Sequence, residues 1–135
     1  LYKEGRGVPK DPVQATRWLA AATLGDHLDA EVEYAIALFN GTGIAKDEAT
    51  AIAHLRKAAR RGSPIGQNRL ARILSAGKGT AADPKEAIKW HLISKAAGAS
   101  DPVLDDFTAK QTPEIRAAAE KEAAPWIIAF SSSRS

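Results

Sequence analysis

A glycine pair recurs three times at a fixed interval, and that interval confines the chain to repeat architectures. The segments "GRGVPKDPVQATRWL" from Gly5, "GTGIAKDEATAIAHL" from Gly41 and "GKGTAADPKEAIKWH" from Gly77 align without gaps, each 36 residues from the next. Gly7, Gly43 and Gly79 keep the same step, as do Asp11, Asp47 and Asp83, then Ala15, Ala51 and Ala87. Trp18 and Trp90 share one register, with His54 standing between them. A period of this length marks stacked supersecondary units, none of which can bury its apolar face alone.

Each unit reads as two helices. Asp11, Asp47 and Asp83 are placed as N-caps, and Pro12 and Pro84 follow at the first helical position, where a missing N–H costs nothing. These helices end near Gly25, Gly62 and Gly98, glycines suited to a left-handed C-cap. Ser63-Pro64 and Asp101-Pro102 open further helices by the same cap-plus-proline device. In "LDAEVEYAIALFN", Ala30, Tyr34 and Leu38 recur at helical spacing; Gly66, Leu70 and Leu74 do so in the next unit. No sustained period-two alternation occurs, so the chain reads as all-α. Thr112-Pro113-Glu114 opens a last helix, which Pro125 should kink or end, with "SSSRS" as a frayed tail.

Composition narrows the function. The chain has 135 residues, 44% hydrophobic and 26% charged, so it is globular rather than disordered. It has no cysteine, which removes disulfides, thiolate catalysis and cysteine-ligated metal sites. A net charge of +3 is mildly basic and compels no nucleic-acid partner. Neither a signal peptide nor an apolar membrane span is seen. The first residue is not Met and the chain opens mid-pattern, which reads as a fragment or a processed form.

The string G-x-G, then Asp, Ala and Trp in register, then paired alanines and a closing glycine, resembles the Sel-one-like repeat (SLR), a relative of the tetratricopeptide repeat. The resemblance covers residues 1 to about 100. It implies a right-handed α/α superhelical solenoid: a truncated repeat, two full repeats and a degenerate one over 1–110, a capping helix over 111–130 and a disordered tail over 131–135. Trp18 to Gly25 is one residue short of the later copies. The C-terminal segment looks like the end of a bacterial member. The family implies an adaptor, scaffold or regulator that binds protein, with no catalytic residues to carry over. It also implies a periplasmic or secreted setting, a cytoplasmic one being left open.

The chemistry-bearing motifs are few. Gly77-Lys78-Gly79-Thr80 superficially resembles a phosphate loop, but Arg72 stands where a Walker A motif needs glycine, and a helix precedes it. The equivalent loops carry Arg6 and Thr42 in place of Lys78, so the glycines mark a turn. His27, His54 and His91 are distributed one per repeat without companion ligands, so no metal is expected and no cofactor is implied. No nucleophile elbow occurs, and the chain is not read as an enzyme.

Two surfaces are candidates for a partner. Arg56, Lys57, Arg60 and Arg61 form like-charged ridges at i, i+4 spacing, read either as a solvated face or as a docking patch for an acidic protein. Nucleic acid is a weaker fit, because no aromatic residues interleave with the charges. Val32, Ile36 and Phe39 form an apolar stripe that either packs on the preceding repeat or lines a concave groove. Asn40, Asn68, Arg72 and Ser75 would join that groove, where Asn and Arg can hold a peptide backbone or carboxylate. Gly5, Gly7, Asp11, Trp18, Gly41, Gly43, Asp47, Gly77, Gly79, Asp83 and Trp90 are assigned to the fold.

Overall fold

The computed structural model describes Pro12, Val13, Ala15 and residues 27–134. Gly5, Gly7, Asp11, Trp18 and Gly25, assigned above to turns, caps and packing, lie outside these residues. Six helices follow in order: α1 (Leu28–Asn40), α2 (Glu48–Arg60), α3 (Pro64–Ala76), α4 (Pro84–Ala96), α5 (Pro102–Ala109) and α6 (Pro113–Arg134). Among the described residues there is no strand. The chain divides into two compact units, residues 1–58 and 59–135.

In the first unit, α1 ends at Gly41, whose φ of 74° is left-handed and whose N–H donates to the Ala37 carbonyl. Thr42 also donates to Ala37, and Asp47 donates to the Leu38 carbonyl, which turns the chain into α2. The Asp47 carboxylate caps α2 by accepting from the Thr50 N–H at 3.1 Å and its hydroxyl at 2.7 Å. Those bonds hold its pKa below the usual carboxylate value. Val32, Ala35, Leu38, Ala51, Ile52 and Leu55 are buried here. His54 meets the edge of Tyr34, 5.4 Å between ring centroids, and its Nδ1 lies 3.0 Å from the buried carboxylate of Glu31.

The second unit repeats the same turn one period later. Gly77 has φ 69° and donates to Ile73, Lys78 donates to the same carbonyl, and Asp83 donates to Leu74. Each cap expected in this unit forms. Ser63 accepts from the Gly66 N–H at 3.0 Å, Asp83 from Glu86 at 3.1 Å, and Thr112 from Ile115 at 3.2 Å. Such a cap is typically worth ~1 kcal/mol.

Helix α4 packs along both α3 and α6, and the core follows that arrangement. Leu70, Leu74, Ile88, Trp90, Ile93 and Leu104 are essentially fully buried, with Ala119 and Ala123 giving α6 a close approach. Trp90 packs against Trp126 with tilted rings whose centroids are 5.3 Å apart, and Trp126 against Phe130 at 5.8 Å. The Lys89 ammonium sits 4.8 Å from the Trp90 ring and 5.2 Å from that of Trp126. Lys85 adds an ion pair to Glu122 at 2.7 Å.

The C-terminus differs from expectation in two respects: Pro125 does not end the last helix, and α6 continues to Arg134 through most of the segment expected as a tail. Pro125 is exposed, as is Lys121, whose carbonyl loses its helical partner, so that carbonyl has access to water. Trp126 and Phe130 anchor the helix beyond the proline, Phe130 lying against Gly62.

Candidate functional site

The residues expected to bind a partner meet three different fates. Val32 is only 3% exposed and belongs to the core of the first unit, so its assignment to a groove is corrected. It lies on the packed side of α1 with Ala35 and Leu38. Ile36 and Phe39 are half-buried and Asn40 is exposed.

Asn68 and Arg72 are engaged within the protein. Arg72 donates from Nε to Asp101 Oδ2 at 2.6 Å and from Nη2 to Oδ1 at 2.8 Å, the bidentate geometry guanidinium favours. Asn68 Nδ2 donates to the same Oδ2 at 2.9 Å. Asp101 Oδ1 also accepts from the backbone N–H groups of Val103 and Leu104, capping α5. One buried carboxylate therefore starts α5 and fastens it to α3. Burial raises the Asp101 pKa, but hydrogen bonds from Arg72, Asn68 and the Leu104 amide outweigh it and bring the value down to about 2. Ser75 turns back on its own helix, donating to the Arg72 carbonyl at 2.8 Å.

Sequence reasoning assigned Asp101 only a cap. Nothing local links it to Arg72, 29 positions away. The expected peptide-holding groups are thus satisfied by an internal carboxylate, which corrects their role as empty donors. Aliphatic and basic side chains are exposed on these two helices, and Asp106 is an exposed acid on α5. Ile65 is 57% exposed on the first turn of α3, and Val103 is 59% exposed on the first turn of α5. Arg69, one turn beyond Ile65, is exposed as well. The signal for Ile65 was present: it is the apolar residue of α3 off the Gly66, Leu70, Leu74 stripe at the N-terminal turn.

The basic ridge is mixed. Lys57 is exposed and lies 3.7 Å from the Glu31 carboxylate. Arg60 and Arg61 are exposed, and Arg56 is half-buried. His91 is 1% exposed, and its Nε2 lies 2.8 Å from Asp105 Oδ1, which also accepts from Lys95 at 3.0 Å. His91 and then Lys95 hold the Asp105 pKa below the usual range. Among the described residues no three His, Cys, Asp or Glu side chains converge as metal ligands. No helix among them is long and apolar enough to cross a membrane.

In the Gly77-Lys78-Gly79-Thr80 loop, the first two amides are turned back on the preceding helix. The Gly77 and Lys78 N–H groups are spent on the Ile73 carbonyl. A shallow, open depression of about 340 Å³ lies on α6, lined by Ile127, Ile128, Ser131 and Ser132. It contains no titratable group.

Capped helices in pairs, joined by a left-handed glycine turn that recurs with the period, define an all-α helical-repeat protein. The Sel1 repeat model matches residues 1–27, 28–63 and 64–98. The chain belongs to the Sel1 repeat family, as the glycine, aspartate and tryptophan columns implied. Sel1 repeats are in general protein-interaction modules and non-enzymatic scaffolds. Two solved structures share the fold. One is c5321, a protective antigen present in uropathogenic Escherichia coli strains that displays an SLR fold. It has a TM-score of 0.78 at 24% identity over 87% of this chain and 26% of that one. The other is a Sel1 repeat protein from Oxalobacter formigenes, with a TM-score of 0.70 at 25% identity over 86% of this chain and 47% of that one. The chain thus spans about a quarter of the first and about half of the second. No curated protein matches the sequence.

Proposed function

We propose that this chain is an adaptor or scaffold module that binds a protein segment on the surface formed by the first turns of α3 and α5. The observation that carries the reading is the pair of exposed aliphatic side chains, Ile65 at 57% on α3 and Val103 at 59% on α5, the two helices that the Arg72–Asp101 pair joins. The clamp fixes α5 against α3, so the apolar surface is held in place before a partner arrives, which lowers the entropy cost of binding. Repeat proteins use such helix faces for extended segments. Helix α6, packed on Trp90, serves in this reading as the cap of the repeats. A bacterial envelope or secreted setting is part of the proposal.

The test is proximity labelling in the native cell with wild type, Ile65→Asp and Val103→Asp. Both substitutions are at exposed positions and should change stability by no more than ~0.5 kcal/mol. Neighbours enriched by wild type and lost with both variants support the proposal; an unchanged set of neighbours contradicts it.

A second reading is electrostatic docking through the basic second repeat, favoured by the exposed Arg60 and Lys57. It requires binding that weakens steeply with salt and on Arg60→Glu. Salt-indifferent binding refutes it.

A further inference from the structure

We infer that the partner segment carries a carboxylate next to an aliphatic side chain, and that Arg69 receives the carboxylate while Ile65 receives the aliphatic group. This rests on the proposed docking role of the α3–α5 surface and adds the chemistry of its occupant.

The inference comes from charge. Between Glu48 and Asp83 the sequence contains no acid, while Arg56, Lys57, Arg60, Arg61, Arg69, Arg72 and Lys78 all fall there. Helix α3 itself has two charges, Arg69 and Arg72, and no carboxylate. The Arg72 charge is neutralised by Asp101 through two short hydrogen bonds. Arg69 has no such compensation: it is exposed, and among the described residues its side chain makes no ion pair or hydrogen bond. Ile65, Arg69 and Arg72 fall at i, i+4 and i+7, on one side of α3, opposite the buried Leu70 and Leu74. Helix α3 therefore presents the exposed Ile65 one turn from an uncompensated guanidinium. Guanidinium pairs best with a planar carboxylate, and the neighbouring aliphatic surface needs an apolar counterpart. A basic segment would be repelled by Arg69, and a uniformly polar one would leave Ile65 against water.

Fluorescence polarisation with two short, otherwise randomised peptide pools tests this, one with a fixed Leu-Glu core and one with Leu-Gln. The Leu-Glu pool should bind about fivefold more tightly, the upper range for one exposed ion pair. That preference should shrink as NaCl rises from about 50 to about 300 mM. Arg69→Gln should abolish the preference, Arg69→Lys should keep part of it, and Ile65→Ser should weaken both pools. Equal binding of the two pools, still weakened by Ile65→Ser, overturns the acidic preference but leaves the docking surface standing. Binding of neither pool, or binding indifferent to both positions, overturns both. A single-stranded oligonucleotide that displaces the Leu-Glu pool and depends on Arg69 overturns the inference in favour of nucleic acid.

Discussion

Arg72 on α3 grips Asp101 at the start of α5 with two parallel hydrogen bonds, 2.6 Å from Nε and 2.8 Å from Nη2. The carboxylate is 3% exposed, so removing the guanidinium leaves a buried charge held only by Asn68 and backbone amides. Arg72→Ala should therefore destabilise the protein by about 2–3 kcal/mol, below the range for fully buried pairs because the Arg72 side chain is half exposed. Denaturant unfolding checks this; a change within ~0.5 kcal/mol would show that the clamp is decorative.

The same carboxylate makes a prediction about pH. Its folded-state pKa of about 2 lies below its unfolded value of 3.8, so the clamp's contribution is fully present above the unfolded value and lost as pH falls through the folded one. Between those two values, roughly 2 kcal/mol of stability should disappear. Asp47 and Asp105, whose pKa values are also lowered, add to the acid slope, so the decisive comparison is with Asp101→Asn. That variant should be less stable at neutral pH and show a shallower slope in the window. Parallel curves for the two proteins would contradict the assignment.

The core makes a packing prediction. Trp90 is buried to 1% exposure and supports Trp126 and Phe130 on α6. Trp90→Ala should cost about 3–5 kcal/mol, as large aromatic truncations do. Hydrogen exchange should show α6 losing protection ahead of α3. A cost under ~1 kcal/mol would mean that α6 is held by something other than this aromatic cluster.

The glycine turn separates structure from ligand binding. Gly77 has φ 69°, and an added Cβ would approach the Ala82 Cβ to 3.0 Å. Gly77→Ala should cost about 1–2 kcal/mol from the left-handed backbone alone, whereas Lys78→Ala should leave stability unchanged within ~0.5 kcal/mol. Thermal unfolding with and without ATP reads both effects. Stabilisation by nucleotide that depends on Lys78 would restore the phosphate-loop reading.

The caps and turns were legible because they are local. Asp47, Ser63, Asp83 and Thr112 each act on an amide three residues along, a distance sequence displays directly. The repeat period then supplied the fold class, since Gly41 and Gly77 make the same bonds one period apart. The site was less legible because its chemistry is non-local. Arg72 and Asn68 have the residue types of a peptide clamp, but whether a clamp is empty depends on Asp101, which arrives from another helix. Val32 fell on a plausible outward stripe, yet the helix phase turns it into the core. Pro125 does not end α6, because a proline on an exposed face forfeits little when packing on both sides holds the helix.

The central claim, that the first turns of α3 and α5 are where this module meets its partner, is tested most directly by site-specific photo-crosslinking in the native cell. A benzophenone amino acid placed at position 65 or 103 should give the same discrete protein adduct. One at position 124, on the exposed side of α6, should not. Adducts from α6 alone, or none from 65 and 103, would contradict the account.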